Sequence, residues 1–186
     1  IYRWQSDQYQ SRDRRETGDG RNMNAIVVVD ENWAIGRDGG LLTHLPGDLK
    51  YYKSKTLGKT VVIGRKTLES FPGGKPLPGR TNIVLTANED YEAEGCIICH
   101  SKEEVLAELE KCASEDVYIS GGAAVYRQFM EDCDVFYVTK IYSSFEADRF
   151  FPDLDAAGYQ VTWQSDLQEE KGLSYRFLRY ERGPEK

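Results

Sequence analysis

Four short runs rich in β-branched residues, each followed by a turn or a helical stretch, constrain this chain more than any other feature. They are Ala25-Ile-Val-Val-Val29, Lys59-Thr-Val-Val-Ile-Gly64, Arg80-Thr-Asn-Ile-Val-Leu-Thr86 and Asp116-Val-Tyr-Ile-Ser120. Runs that are apolar without alternation are buried on both faces, as the inner strands of a parallel sheet are. Helical spacing fills the intervals over residues 46–57, 66–70 and 101–112. The last of these opens with the capping box Ser101 and Glu104, ahead of Val105, Leu106 and Leu109. A fourth helix follows Gly121-Gly122 through Val125, Tyr126 and Phe129.

Strands alternating with helices impose right-handed crossovers and a mainly parallel sheet with helices on both faces. Residues 135–142, 159–163 and 173–180 read as further strands, and the last interval is too short for a crossover helix, so an antiparallel C-terminal edge is expected. The expectation is one α/β domain over residues 23–184, with a mixed sheet of about eight strands flanked by about four helices. A length of 186 residues, 40% hydrophobic, supports one core. Residues 1–22 carry scattered charge and no apolar periodicity, and read as a leader or added extension outside the core, with Met23 as the natural beginning. Asp7, Asp13, Glu16 and Asp19 count against a mitochondrial presequence.

Composition narrows the partners. With 24 basic against 31 acidic residues the net charge is -7, which argues against a general nucleic-acid binder. The chain has no apolar run of membrane-spanning length and no secretory h-region, so a cytoplasmic monomer acting on small molecules is expected. Cys96 and Cys99 form a C-x-x-C, but on a short buried strand residues three apart face opposite ways. His44 and His100 are the only histidines, and no metal site is expected; the four cysteines read as reduced thiols.

In an open α/β sheet, ligands bind outside the carboxyl ends of the strands. Two such ends carry Gly64-Arg65-Lys66-Thr67 and Ser120-Gly121-Gly122-Ala123, each joining free backbone N–H groups to a helix start that suits phosphate. A tight strand-to-helix turn accounts equally for the glycine pair, and a solvated helix start for Arg65 and Lys66. A third candidate is the glycine-rich loop from Ala34 that runs through Leu45-Pro46 into Asp48. Proline at the first helical position and an acid in the first turn suit a plain capped helix. Yet Leu45, Leu49, Tyr52 and Thr56 recur at helical spacing and give that helix an apolar face with Asp48 beside it. Arg80 opens an inner strand, where its planar fork either clamps a carboxylate or lies exposed. Thr139 sits mid-strand, where β-propensity alone explains it.

Taken in order, these residues resemble the dihydrofolate reductase family from Met23 to about Arg182. The family's pattern of a small residue, Ile-Gly, an apolar residue, Pro-Trp, an acid, an aromatic or aliphatic residue and Thr lies on Ala34 through Thr56. Gly64-Arg65-Lys66-Thr67, the Pro-Leu-Pro-Gly-Arg run ending at Arg80, Ile119 with Gly121-Gly122 and Tyr126, and Phe136-Tyr-Val-Thr-Lys140 extend the match. One departure stands out: Leu42-Thr43 occupies the place of the family's Pro-Trp.

The resemblance implies hydride transfer from NADPH to 7,8-dihydrofolate. It implies that Asp48 anchors the pterin and promotes its protonation while Thr139 orients the carboxylate. Ile26 and Ile119 would supply backbone carbonyls or apolar walls, Leu49, Tyr52 and Phe71 would flank the flat ring system, and Arg80 would hold the glutamate carboxylate. On the NADPH side it implies Ile35 and Gly36 over the nicotinamide with Tyr126 beside it, and Gly121 and Gly122 at the pyrophosphate. Gly64, Arg65, Lys66 and Thr67 would lie at the phosphates, Arg65 and Lys66 serving the 2'-phosphate, with Val28 and Thr86 as further cofactor contacts. Residues 36–40 would act as a lid. The missing indole, which in the family closes the pocket and holds a water, marks Leu42-Thr43 as the part most unlike its relatives; a role for His44 stays open. A related-fold reductase of riboflavin synthesis is one alternative, but it has no use for Asp48 together with Arg80. The other, a non-catalytic nucleotide-binding module, has Asp48 and Thr139 against it.

Overall fold

The computed structural model describes residues 22–183. The leader reading therefore falls, apart from Asn22, outside the described residues, as does position 184. In chain order the strands are β1 (Met23–Val29), β2 (Ala34–Arg37), β3 (Gly40–Leu41), β4 (Thr60–Gly64), β5 (Thr81–Leu85), β6 (Cys96–Cys99), β7 (Val117–Ile119), β8 (Cys133–Ile141), β9 (Arg149–Phe150), β10 (Gln160–Gln164), β11 (Gln168–Glu170) and β12 (Leu173–Glu181). The helices are α1 (Pro46–Thr56), α2 (Arg65–Ser70), α3 (Lys102–Leu109) and α4 (Ala123–Phe129). None of them is long and apolar enough to cross a membrane.

The main sheet runs β10-β12-β8-β1-β7-β4-β5-β6, with β11 paired to β12. Every pairing from β8 to β6 is parallel, while those of β12 with β8, β10 and β11 are antiparallel. The mixed sheet with an antiparallel C-terminal edge is as expected. β1 lies at its centre because its apolar run offers side chains to both faces.

Strand alternation then sorts the molecule into two layers. From β1, Ala25, Val27 and Val29 enter the main core, with Val105 and Leu109 of α3 and Val125 and Phe129 of α4. Ile26 and Val28 turn to the opposite face, where they meet Tyr118 and Leu45 respectively. On that same face Leu68 of α2 packs with Ile63 and Val84. The two cysteines of the C-x-x-C separate as the alternation requires: Cys99 joins the main core and Cys96 the cluster under α2. Their strand differs from expectation in being the sheet edge, with Ile97 exposed.

A second difference concerns residues 36–40, expected as an open glycine loop. They lie in a hairpin of β2 and β3, and β9 pairs with β2 to complete a small three-stranded sheet. Gly36 permits this because a Cβ there would lie 2.6 Å from the Gly40 carbonyl oxygen. The Arg37–Glu146 ion pair and the Asp38 N–H donating to Asp148 fasten the hairpin to the segment before β9. Two-residue strands carry too little periodicity to be seen in sequence.

Asp30 ties this small sheet to the large one. Fully buried at the end of β1, its carboxylate accepts the N–H groups of Asn32 (2.8 Å), Ala34 (2.9 Å) and Phe145 (2.9 Å). Replacing it strands three donors, so Asp30→Ala is expected to lower the unfolding free energy by about 3 kcal/mol. Urea denaturation of the variant against the parent protein measures this, and a loss under about 1 kcal/mol would show that water replaces the carboxylate.

Candidate active site

The site begins at the N-terminus of α1. Leu45 precedes the helix in an extended conformation and offers no side-chain cap, and Pro46 brings no N–H of its own. Asp48, the third helical residue, receives a hydrogen bond from the Thr139 hydroxyl at 2.6 Å. Thr139 is buried on β8, opposite Val28 of β1, and alternation points it to the α1 face. Asp48 is only partly covered and borders the cleft, yet burial pushes its carboxyl up to about 6. The Thr139 hydrogen bond pulls the other way, and the charge of Glu170 adds to the rise.

The apolar face expected on α1 divides in two. Leu45 and Thr56 are buried, while Leu49 is 45% exposed and Tyr52 half-buried. Tyr51 makes the packing contact instead, stacking on Phe177 of β12 with ring centroids 4.0 Å apart. Asp48, Leu49 and Tyr52 thus lie on the more open side of the helix, so the apolar spacing is only partly spent on the core. Tyr52 packs with Ile26, Val61 and Tyr118, and its enclosed hydroxyl lies beside Ser120 without a well-formed hydrogen bond among the described residues.

Arg80 stands at the far end of the same helix. Its Nε donates to Thr56 Oγ1 (2.9 Å), its Nη1 to the Pro78 carbonyl (2.7 Å), and its guanidinium lies 6.0 Å from the centre of the Tyr52 ring. Thr56 and Asp48 are eight residues apart, which separates the arginine grip from the acid by about 12 Å along the helix axis.

The two glycine-bearing strand ends meet. The Gly64 N–H donates to the Gly121 carbonyl at 2.8 Å, and a Cβ on Gly64 would touch Val125 and approach Gly122 N. Gly121, at φ 107°, lies so close to the Tyr126 ring that a Cβ would contact it at 3.2 Å. A Cβ on Gly122 would face Thr67 Oγ1 at 3.6 Å. The two glycine turns are therefore packed on each other at the starts of α2 and α4, with the Gly64 N–H paired and the Thr67 hydroxyl facing Gly122. Tyr126 is buried behind them, donating to the Ile26 carbonyl at 2.6 Å.

Other residues singled out in the sequence lie elsewhere. The Ile119 side chain enters the main core on the α3 and α4 face, so of the two contributions expected of it the backbone carbonyl is the one this placement leaves. The reason is parity, and the same parity turns its neighbour Ser120 toward Tyr52. Phe71 packs on Ile63, Leu68 and Val84 beneath α2. Arg65 is engaged by Glu69 at 3.0 Å while Lys66 is exposed. Thr86 accepts the Asn88 N–H with its hydroxyl inside its own loop and meets His100 Nδ1, just beyond β6, with its carbonyl. Val28 lies under Leu45, and Ile35 packs against the main core. Leu42 and Thr43 are half-buried and the His44 side chain is exposed. Sequence reasoning missed Ser120, which the alternation of β7 would have revealed, and Glu170, for which no local signal exists.

A carboxyl held above its unfolded value binds more protons folded than unfolded, so Asp48 makes stability fall as pH rises from about 4 to about 6. Asp48→Asn keeps an acceptor for Thr139 without the buried charge. It is expected to stabilise the protein above that window by about 1–2 kcal/mol, allowing for solvent screening, and not below it. Thermal unfolding of both proteins across this range tests it; an equal difference at every pH would separate the effect from ionisation.

Comparison with known proteins agrees with this geometry. Residues 22–182 match the family model described as dihydrofolate reductase. The dihydrofolate reductase of Bacillus subtilis (strain 168) is 39% identical over 163 residues, covering 86% of this chain and 94% of that protein. That of Neisseria meningitidis serogroup A is 40% identical over 160 residues, covering 85% and 96%. Among solved structures, dihydrofolate reductase from Enterococcus faecalis complexed with NADP(H) and RAB-propyl superposes with a TM-score of 0.76 at 40% identity, covering 87% of this chain and 96% of that one. By its motifs, its sheet and these matches over most of its length, the chain belongs to the dihydrofolate reductase family.

Proposed function

We propose that this chain reduces 7,8-dihydrofolate to 5,6,7,8-tetrahydrofolate with NADPH, and that Asp48 anchors the pterin and promotes its protonation. The observation that carries the reading is the placement of the Asp48–Thr139 pair at one end of α1 and Arg80 at the other. A substrate with a flat amino-heterocycle at one end and a carboxylate at the other matches that spacing. A pyrimidine lacking the carboxylate would leave Arg80 without a role, which weighs against the related reductase of riboflavin synthesis. All of these groups come from one chain, so the reading needs no second copy.

The glycine turns of Gly64, Gly121 and Gly122, with Thr67, are assigned to the pyrophosphate, since they bring bare backbone to the starts of α2 and α4. NADPH bound there would supply the hydride. Lys66, and Arg65 if released from Glu69, are the cations on hand for a further phosphate. Ile35 and Gly36 of β2 are assigned to the nicotinamide side.

Asp48 accepts two hydrogen bonds from the N–C–NH2 edge of the pterin, a neutral counterpart of the arginine fork. Thr139 occupies Oδ1 and holds the carboxylate plane. With its carboxyl near 6, Asp48 holds a proton for part of the time at neutral pH and promotes protonation of the ring nitrogen, directly or through water. Leu49 and Tyr52 flank the ring system, and Arg80, braced by Thr56, receives the α-carboxylate. Thr43 brings no indole to the site, leaving that side of the cleft less covered than in relatives with Pro-Trp.

The purified protein is expected to oxidise NADPH on addition of dihydrofolate, followed by loss of NADPH absorbance; no turnover by folded protein would overturn the assignment. Asp48→Asn is expected to slow hydride transfer at neutral pH by about 100-fold or more, and less in acid where the substrate arrives protonated. A uniform loss would assign Asp48 to binding alone. Arg80→Leu is expected to raise the dihydrofolate Kd about 10- to 100-fold with NADPH affinity intact, the loss of one charged bidentate contact. Fluorescence titration with each ligand separates the two affinities.

A further inference from the structure

Resting on the reading just given, we infer that Glu170 is a positioning residue for Asp48: reaching from β11, it caps the first turn of α1 and brings a second negative charge to the helix start that carries the acid. Leu45 supplies no side-chain cap and Pro46 no N–H, so the Gly47 N–H is the first donor the helix presents. Glu170 takes it, with Oε2 at 3.1 Å and Oε1 at 3.4 Å. The Tyr175 hydroxyl donates to the same carboxylate at 3.0 Å and fixes it from β12. Because β11 and β12 form a hairpin in which Glu170 faces Leu173, the carboxylate is carried on paired backbone.

Gly47 is an independent sign of the same contact. A Cβ there would stand 2.5 Å from the Tyr175 hydroxyl and 2.8 Å from Glu170 Oε2, so a larger residue would push both side-chain ends out of this arrangement. The next residue is Asp48. A negative charge at a helix start is ordinarily favourable, but here it sits one residue from the acid and opposes that acid's ionisation.

Among the described residues, the other groups around this pair put no cation against Asp48. Asp48 meets the neutral Thr139 hydroxyl from β8, the Tyr52 phenol from its own helix and the Tyr126 phenol from α4. Arg80 acts on Tyr52 at the far end of α1. Lys171, beside Glu170 in sequence, sends its ammonium to the His44 carbonyl at 3.0 Å.

The test uses the whole protein and two variants. Glu170→Gln keeps an oxygen for the Gly47 N–H and the Tyr175 hydroxyl but removes the charge, whereas Glu170→Asp keeps the charge on a shorter arm. Asp48 is titrated by carboxyl carbon NMR without ligands, and the pH profile of single-turnover hydride transfer is recorded alongside. Glu170→Gln is expected to lower the Asp48 midpoint by about 0.3–1 unit and to slow hydride transfer above that midpoint about two- to tenfold. Glu170→Asp is expected to stay nearer the parent midpoint. An unchanged or raised midpoint in Glu170→Gln, or an equal fall in Glu170→Asp, would overturn the inference. The ligand-free titration keeps the two readings apart: a parent protein that fails to turn over dihydrofolate defeats the function, while an unmoved midpoint in an active enzyme defeats only the role of Glu170.

Discussion

Because successive residues of a strand point to opposite faces, the register of β1, β7, β4 and β8 decides where every functional side chain of this protein can lie. One parity sends Ala25, Val27, Val62, Ile119 and Val138 into the core beneath α3 and α4. The other sends Ile26, Val61, Tyr118, Tyr137 and Thr139 toward α1. A slip of one residue in β8 would exchange Thr139 for Val138 and leave Asp48 without its partner. The parallel ladder that sets this register also brings the carboxyl ends of β4 and β7 together, so that Gly64 donates to Gly121.

On this frame the protein keeps a carboxylate in a place that disfavours its charge. Burial pushes Asp48 up to about 6, Thr139 moderates the rise and Glu170 adds to it. Such an acid reduces stability at neutral pH, and sites of this kind are where chemistry is commonly found. The surroundings are correspondingly firm. Tyr51 stacks on Phe177 under the helix, Thr56 braces Arg80 at its end, and Glu170 with Tyr175 closes its beginning. The supports come from β11, β12 and the turn before β5, which is how a short helix becomes rigid enough to hold an acid and an arginine at a set spacing.

How much was legible in the sequence depended on whether the signal was local. The β-branched runs, the Ser101–Glu104 capping box and the Gly121-Gly122 turn each carry their own physics, and the strands and helices they imply are present. The apolar spacing of Leu45, Leu49, Tyr52 and Thr56 was visible but ambiguous, since the same stripe serves a core or a ligand. The structure divides it, burying Leu45, Thr56 and the off-stripe Tyr51 while leaving Leu49 exposed. The direction of the Ile119 side chain was not legible for want of register, nor was the hairpin at residues 36–40, because strands of two to four residues show no period.

What the sequence by itself determined is therefore the α/β class and the order of the longer strands and the helices, which follow from propensity and spacing acting over a few residues. The resemblance of residues 34–56 and of the later motifs to a known family is what singled out Asp48 and Arg80. Only the tertiary structure decided that Thr139 meets Asp48, that Gly64 touches Gly121, that Ile119 turns away while Ser120 turns in, and that Glu170 closes a helix start 123 residues before it. These contacts join distant segments, and each depends on strand register and on which face a residue occupies. No window of sequence contains either.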